Sequence, residues 1–306
     1  MSESKFKLPA YAKINLSLRV LGRRVDGYHE IRTVFQTITL HDTLEFERLD
    51  SERLELTCDD PGIPTDESNL VLRAALALRE HFGVGRGARI RLEKRIPAQG
   101  GLGGGSADAA VSLIGLARLW ELPTSVAELA RLGARLGADV PFFLTGGTAL
   151  GTGLGTDITP LEDVPVKALV LVAPGVGVST VEAYKALNAD ALTKPDSAVI
   201  LHVSRAEAQI SDSLCEVLCN DFEPVVFRLQ PEIERAKKRL LDMGARCALM
   251  SGSGSSVFGV FDEAGEARRA AAELSGETLW QVFPCETLSR SEYLRSFGGR
   301  DTLPLR

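Results

Sequence analysis

The feature that most constrains this chain is a glycine-rich stretch at residues 97–107. Five glycines stand within the six positions from Gly100 to Gly105, and Leu102 alone interrupts them. So many glycines disfavour a packed strand or a helix interior, because glycine loses more backbone entropy on folding than any other residue. Residues 88–95 alternate in polarity like a strand, and residues 106–119 repeat apolar side chains at helical spacing. The pattern therefore predicts a strand, a glycine loop and the start of a helix.

A loop of this kind is suited to binding phosphate. Glycines let the backbone approach a ligand closely, and the start of the following helix offers free N–H groups and a partial positive charge. The stretch is not a Walker A loop, since neither Lys-Ser nor Lys-Thr follows its last glycine. A dinucleotide-binding fingerprint fits poorly, because Ser106 occupies the position of its third glycine. A flexible linker would lack the flanking strand and helix, so a phosphate-binding loop is the better interpretation.

The composition is that of an ordinary soluble protein, with 44% apolar and 25% charged residues. A formal net charge of −6 disfavours a nucleic-acid partner or an anionic membrane surface. The first residues are charged and lack the apolar core of a signal peptide, and no apolar run is long enough to span a bilayer, so we expect a cytoplasmic protein. The odd number and scattered spacing of the cysteines argue against a disulfide framework and a metal site. They are Cys58, Cys215, Cys219, Cys247 and Cys285, with Cys215 and Cys219 on one predicted helix.

Alternating polarity, β-branched runs and capping residues predict an α+β protein. Predicted strands cover residues 6–21, 31–38, 42–48, 53–57, 88–95, 146–151, 168–173, 247–250, 257–261 and 279–283. Predicted helices cover residues 68–82, 106–119, 125–136 and 264–274, with further helices between residues 179 and 239. The polar, proline-bearing segment 156–166 suggests a domain boundary, which divides the chain into residues 1–160 and 161–306.

Three separated segments resemble the three motifs of the GHMP kinases, a family of small-molecule kinases, in the family's order. They are Ala12–Leu16, the glycine loop and Met250–Gly259. The resemblance implies a two-domain GHMP kinase fold, with an N-terminal ribosomal-protein-S5-domain-2-like ATP-binding domain and a C-terminal ferredoxin-like domain. One departure lies in the loop: the family often has Met-Gly or Ala-Gly after the proline, where this chain has Ala98 and Gln99.

The resemblance also implies ATP and Mg²⁺ as cofactors and assigns roles to individual residues. Asp139 would be the general base that activates the acceptor alcohol, and Lys13 would pair with it and with the incoming oxygen. Ser106 would offer its hydroxyl to Mg²⁺ or phosphate. Without the resemblance, Lys13 would be a solvated strand lysine and Asp139 a polar residue at a helix end. The nucleotide would contact Asn69, Lys94, Pro97, Ala98, Gln99, Gly100, Gly101, Leu102, Gly103, Gly104, Gly105, Ser106 and Ala107.

Within the family, residues 26–30, 34–36 and 137–143 are similar to members that phosphorylate a cytidine diphosphate methylerythritol in the non-mevalonate route to isoprenoids. This similarity implies that Tyr28 and Tyr184 sandwich the cytosine, while His29 hydrogen-bonds its edge. Asn15 and Thr180 would lie near the diphosphate and the erythritol. The implied partner is therefore a small molecule, and the protein would act as a monomer or a homodimer.

The sequence leaves two alternatives open. The chain could be another GHMP kinase, of the homoserine or mevalonate type, although the Tyr28-His29 segment argues against this. It could instead be a non-catalytic ATP-binding regulator of the same fold. Such a regulator could lose Asp139 or Lys13, and both are present.

Overall fold

The computed structural model describes residues 4–187 and 214–298. Its strands are β1 Lys5–Arg23, β2 His29–Leu49, β3 Leu54–Cys58, β4 Gly87–Glu93, β5 Thr148–Thr152, β6 Asp157–Pro160, β7 Ala168–Ala173, β8 Cys219–Asn220, β9 Cys247–Met250, β10 Val257–Phe261 and β11 Gln281–Glu286. Its helices are α1 Leu70–Phe82, α2 Gly104–Leu119, α3 Val126–Leu136, α4 Val140–Phe143, α5 Thr180–Leu187, α6 Leu214–Val217, α7 Glu223–Leu229, α8 Pro231–Asp242, α9 Ala264–Leu274 and α10 Arg290–Arg295. The predicted α+β class is confirmed.

The first sheet is built on a long antiparallel hairpin of β1 and β2. Its strands run in the order β3-β4-β2-β1-β8, and β5 and β6 extend it from the other end of β2. Helix α2 lies against β1 and β2 and carries the glycine loop at its N-terminus. It is apolar on almost all sides, because α1 and α3 also pack on it. The largest core cluster of the described residues lies between these helices and the sheet.

The second sheet is antiparallel in the order β11-β7-β10-β9. All six residues of its central strand β7 are buried, as a strand covered on both faces requires. Helices α8 and α9 cover one face. On the other face, Leu169 and Phe258 belong to one buried apolar cluster with Ile14 of the first sheet and Leu102 of the glycine loop. The loop therefore lies where the two sheets meet.

The structure differs from the sequence-based prediction in several elements: β6, β8, α4 and α10 were not predicted, and α2 begins at Gly104 instead of residue 106. The predicted strands 31–38 and 42–48 form one continuous strand, β2. Cys215 and Cys219 do not share a helix, because α6 ends at Val217 and Cys219 begins β8. A single disulfide joins Cys215 to Cys247, a bridge that the number and spacing of the cysteines did not predict. The helices predicted between residues 188 and 213 lie outside the described residues.

The chain changes sheets between β6 and β7, near the predicted boundary at residues 160 and 161. Later segments return to the first half: β8 pairs with β1, and Tyr293 of α10 is buried in the first core cluster. The division into residues 1–160 and 161–306 stays a prediction. In the described part of the chain, no helix is both long enough and apolar enough to cross a membrane.

Gly115 lets α2 lie close to the sheet, and the structure predicts the cost of enlarging it. A Cβ at this position would lie 2.6 Å from the ring of the fully buried Phe46. Alanine favours a helix by up to about 1 kcal/mol over glycine, but overpacking a core costs about 1–3 kcal/mol. We therefore expect Gly115→Ala to lower the free energy of unfolding, as measured by urea denaturation. In a Phe46→Leu background, Gly115→Ala should lower the free energy of unfolding by less than it does in the wild type. Equal losses in the two backgrounds would contradict the packing explanation.

Candidate active site

The glycine loop connects β4 to α2, and its conformation depends on left-handed glycines. Gly101 and Gly103 have φ angles of 75° and 71°, and Gly103 is the N-cap of α2. Gln99 also has a left-handed φ, 56°, which costs a non-glycine residue about 1–2 kcal/mol. This residue is the departure from the family pattern noted above. The predicted order of strand, loop and helix is confirmed, and the backbone N–H groups of residues 104–106 begin the helix without intrahelical partners.

The serine-glycine turn between β9 and β10 holds the loop from the second sheet. Ser251 Oγ donates to the carbonyl of Gly101 at 2.9 Å, and Ser256 N–H donates to the carbonyl of Gly100 at 3.0 Å. A Cβ at Gly101 would lie 2.2 Å from the carbonyl oxygen of Ser251, so only glycine allows this approach. Asn220 in turn donates from Nδ2 to the carbonyls of Met250 and Gly252, at 2.7 and 2.8 Å. The turn is thus itself anchored to β8.

Lys13 lies on β1 beside the loop, where the β1–β2 register shifts between Tyr11 and Lys13. Its backbone N–H donates to the carbonyl of Leu102 at 3.0 Å, so strand and loop are joined directly. The side chain is buried, with 3% exposure, which excludes a solvated strand lysine. Its Nζ donates to Asn15 Oδ1 at 2.7 Å and lies 3.6 Å from Asp139 Oδ2. Burial lowers the pKa of Lys13, and the nearby Asp139 opposes that shift.

Asp139 is presented by the short helix α4. It is the N-cap of that helix, and the Asp139 side chain remains 30% exposed. Phe142 and Phe143 anchor the helix in the core, and the hydroxyl of Tyr293 donates to the carbonyl of Phe143. The carboxylate is therefore fixed by its helix yet open to a ligand. Lys13 and Asp139, which are 126 positions apart, form the pair that the sequence predicted.

Asn15 connects this pair to the sheet. Its Oδ1 accepts from Lys13, and its Nδ2 donates to Thr33 Oγ1 at 2.7 Å. Thr33 Oγ1 in turn donates a hydrogen bond to the carbonyl of Ser17, at 2.6 Å. These contacts orient the ammonium of Lys13, whereas the predicted contact of Asn15 with the substrate stays a prediction.

A cavity of about 680 Å³ opens beside Asp139, and four predicted substrate residues line it together with Ala138. They are Tyr28, His29, Thr180 and Tyr184. Burial raises the pKa of Tyr184 to about 12, and the charge of Asp139 adds to this shift. The cavity thus extends from the aromatic residues to Ala138, the residue directly before the predicted base.

Two of the aromatic rings of this cavity already stack on each other. The rings of His29 and Tyr184 are stacked, with centroids 4.6 Å apart and planes inclined by 15°. Phe222 contacts Tyr184 edge-on at 4.8 Å, while Tyr28 is 65% exposed. A base that stacks on this face of Tyr184 must displace His29, or else stack on the outer face of the imidazole. The roles of these rings in binding stay predictions.

Asn69 and Lys94, predicted near the adenine, already have partners in the protein. Asn69 caps α1, since its Oδ1 accepts from Val71 N–H at 2.9 Å. The Nζ of Lys94 contacts the carboxylates of Asp42 and Asp108, the latter at 2.9 Å. Burial would lower the pKa of Lys94, but the two carboxylates raise it overall. The predicted contact of both residues with adenine stays a prediction.

Asp42 and Asp108 were missed by sequence reasoning. Asp108 lies in the second turn of α2 among apolar residues and is 3% exposed, with its Oδ1 buried without a partner. Burial raises the pKa of Asp108 to about 7, against the opposing effect of Lys94. An acidic residue inside an otherwise apolar helix was the signal available in the sequence. For Asp42, in the middle of β2, there was none.

Ser106 lies in the first turn of α2, and its Oγ is 3.6 Å from the position of a Cβ on Gly137, two residues before Asp139. A serine hydroxyl, a carboxylate and phosphate oxygens are the donors that Mg²⁺ uses with nucleotides. In residues 4–187 and 214–298, no group of three or more His, Cys, Asp and Glu side chains could hold a metal alone. The hydroxyl of Ser106, in the first turn of α2, is an oxygen donor of the kind that Mg²⁺ uses.

Family models match both halves of the chain. The model of the GHMP kinases N terminal domain matches residues 69–147, and that of the GHMP kinases C terminal matches residues 204–278. These matches, the braced glycine loop and the Lys13–Asp139 pair together define the class of protein, a GHMP kinase.

Relatives in sequence narrow the class. A 4-diphosphocytidyl-2-C-methyl-D-erythritol kinase from Citrifermentans bemidjiense is 44% identical over 93% of this chain and 99% of its own length. A kinase of the same name from Moorella thermoacetica is 45% identical over 92% and 98%. The chain belongs to the 4-diphosphocytidyl-2-C-methyl-D-erythritol kinases, within the GHMP kinases.

Solved structures agree with this assignment. A crystal structure of a 4-(cytidine 5'-diphospho)-2C-methyl-D-erythritol kinase aligns with a TM-score of 0.77 and 37% identity, over 93% of this chain and 100% of the other. A homoserine kinase from Cytophaga hutchinsonii aligns with a TM-score of 0.74 over 95% and 96%, at 22% identity. The second similarity shows the fold alone. The predicted fold of the GHMP kinases is confirmed.

A substitution at Gly105 can test whether the loop binds nucleotide without disturbing the packing around the loop. Of the described residues, a Cβ there would meet only Leu70, at 3.7 Å. We therefore expect Gly105→Val to fold normally and to bind a nucleoside triphosphate at least about tenfold more weakly, because the side chain blocks the approach of phosphate to the backbone. Calorimetric titration measures the affinity, and thermal unfolding measures the stability.

Gly103→Val is the matched comparison. Its Cβ would lie 2.8 Å from the ring of Phe143 and 3.2 Å from Lys13, so this variant should lose stability as well as affinity. Unchanged nucleotide affinity in folded Gly105→Val would contradict the assignment of the loop.

Proposed function

We propose that this chain transfers the γ-phosphate of ATP to the 2-hydroxyl of 4-diphosphocytidyl-2-C-methyl-D-erythritol, a step in non-mevalonate isoprenoid precursor synthesis. The observation that supports it most is the Lys13–Asp139 pair, which lies between the glycine loop and the aromatic cavity. ADP release should require Mg²⁺ and the cytidylylated alcohol. Homoserine and mevalonate, the acceptors of the alternative GHMP kinases, should give little turnover. We expect the enzyme to act in the cytoplasm, as a monomer or a homodimer.

The nucleotide would bind along the loop and the start of α2. Phosphoryl transfer depends mainly on positioning and on stabilisation of charge, and this is what the backbone N–H groups of residues 101–106 can supply. The contacts from Ser251 and Ser256 hold these groups in place before the nucleotide arrives. Ser106 would hold Mg²⁺, which neutralises the charge on the phosphates when it is bound.

The acceptor would meet Asp139 at the inner end of the cavity. The Asp139 carboxylate accepts the proton of the acceptor hydroxyl while the hydroxyl oxygen bonds to the γ-phosphorus. The bond between the γ-phosphorus and the bridging oxygen breaks, and ADP leaves with its electrons. Lys13 lies beside Asp139, and its ammonium can stabilise the negative charge that develops on the oxygen of the acceptor. Asn15 keeps that ammonium oriented through its 2.7 Å hydrogen bond.

The outer part of the cavity would hold the cytidine. Tyr28, His29 and Tyr184 present aromatic surface, and stacking on such surface is tolerant of the base. Selection of cytosine requires hydrogen bonds to the edge of the base, which we assign to His29. Thr180 lies on the side of the cavity nearer the serine-glycine turn, since its Oγ1 is 3.0 Å from Ser253 Oγ.

Asp139→Asn should abolish most phosphoryl transfer and leave ATP affinity nearly unchanged. An amide cannot accept the proton, and general bases contribute about 10²- to 10⁴-fold to rates. The side chain keeps its size at a partly exposed position, so the fold should not suffer. Steady-state kcat and calorimetric ATP affinity are the two measurements. If Asp139→Asn kept more than half of the wild-type kcat, Asp139 would not be the general base.

Tyr184→Ala should lower kcat/KM for the cytidylylated substrate about ten- to a hundredfold, since stacking of a base on an aromatic ring is worth about 1–3 kcal/mol. Its effect on KM for ATP should be slight. Tyr184→Phe, which keeps the ring, is the control and should retain most activity. His29→Ala should weaken discrimination between the cytidylylated and uridylylated alcohols. An equal loss toward both substrates in Tyr184→Ala would point to a packing role instead.

A further inference from the structure

Three buried charged residues connect the two ends of the phosphate loop. Asp42 lies on β2, Lys94 directly follows β4, and Asp108 lies on α2. Their side chains are 0%, 8% and 4% exposed. None of them lines the aromatic cavity, and the proposed chemistry uses neither carboxylate. We name these three residues the loop triad.

At the start of the loop, the triad fixes the backbone. Asp42 Oδ1 accepts from the N–H groups of Arg95 and Ile96, at 2.5 and 2.8 Å. The other oxygen of Asp42 accepts from the ammonium of Lys94. One carboxylate therefore holds three consecutive residues through which β4 leads into the loop.

At the end of the loop, the same ammonium holds the helix. Lys94 Nζ donates to Asp108 Oδ2 at 2.9 Å, one turn beyond the helix start. A Cβ at Gly104, the first residue of α2, would lie 3.4 Å from Lys94 Nζ and 3.0 Å from Ile96. The start of the helix thus lies directly on the triad, and neither end of the loop can move without breaking a buried charged contact.

Such contacts are costly to break. A buried charge is tolerated when it is paired, and removing one partner leaves the other without compensation. Hydrogen bonds between ionised groups are also the strong ones. We propose that the loop triad is a positioning unit, which sets the spacing between β4 and α2 so that the loop N–H groups converge on a triphosphate. The inference rests on the proposed nucleotide site, and it gives Lys94 a role through the loop instead of a direct contact with adenine.

A double-mutant cycle on Lys94 and Asp108 separates these two roles. The measured quantities are the calorimetric affinity for Mg-ATP, KM for ATP, KM for the acceptor and kcat. Asp108→Asn keeps the shape and, above the Asp108 pKa of about 7, removes a charge. Measured at about pH 8.5, it should weaken ATP binding about three- to tenfold, because the remaining hydrogen bond is no longer charge-assisted on both sides. Lys94→Met should weaken it at least as much. KM for the acceptor should change less than about twofold in both, because the triad lies away from the cavity.

The decisive comparison is the double variant. If both residues act as one unit, Lys94→Met in the Asp108→Asn background should add little to the loss of ATP affinity. If Lys94 binds adenine directly, its effect should multiply that of Asp108→Asn, and this result would overturn the proposal. Wild-type ATP affinity in Asp108→Asn would overturn it as well. Should Lys94→Met fail to fold, a cycle of Asp42→Asn and Asp108→Asn replaces it. Losses of ATP affinity that do not add would support a single unit, and losses that add would overturn the proposal.

Asp163→Asn is the matched control. This carboxylate also accepts from two backbone N–H groups, those of Thr148 and Arg290, at 2.9 Å each, but it touches neither end of the loop. It should lower thermal stability without raising KM for ATP. If Asp163→Asn raised KM for ATP as much as the triad variants do, the loss of any buried carboxylate of this kind would weaken ATP binding. That result would refute the positioning role of the triad. Because affinity for Mg-ATP is measured without the acceptor, an error in the proposed acceptor would leave this test intact.

Discussion

The backbone contact between the glycine loop and the serine-glycine turn is the constraint on which the rest of the structure depends. Gly101 approaches the carbonyl of Ser251 so closely that no side chain could stand between them. Two hydrogen bonds from the turn and one from Lys13 N–H hold Gly100, Gly101 and Leu102. A loop of free glycines would lose much conformational entropy on binding a ligand, and here the protein fold has already fixed it.

This contact also explains why two sheets are needed. The loop belongs to the first sheet, but the turn that braces it belongs to the second, and Leu102 is buried in the apolar layer between them. A change in the packing of that layer would therefore alter the backbone of the glycine loop, where we propose that phosphate binds. The return of α10 adds a similar link on the opposite side, since Tyr293 binds the carbonyl of Phe143 and Phe143 lies against Gly103.

Buried charge is concentrated around the loop. Lys13 and Lys94 are both enclosed, yet the pKa of Lys13 is lowered and that of Lys94 is raised. The difference follows from their partners, because Lys94 lies between two buried carboxylates while Lys13 has one partly exposed carboxylate nearby. Lys13 is therefore the ammonium less committed to partners within the protein, which agrees with its proposed contact with the acceptor.

Much of this protein was determined by the sequence alone. The helix that ends at Phe82, the strand before the loop and the helix after it follow from local rules, because capping, alternation and glycine runs act over a few residues. The three motifs, with the similar segment at residues 137–143, indicated the glycine loop and the pairing of Lys13 with Asp139, the proposed base. What only the tertiary structure decided depends on distant segments: the Asp42–Lys94–Asp108 contacts, the disulfide of Cys215 with Cys247, the stacking of His29 on Tyr184 and the return of α10. Local patterns carry no information on these partners, because burial and pairing are set by which residues the folded sheets bring together.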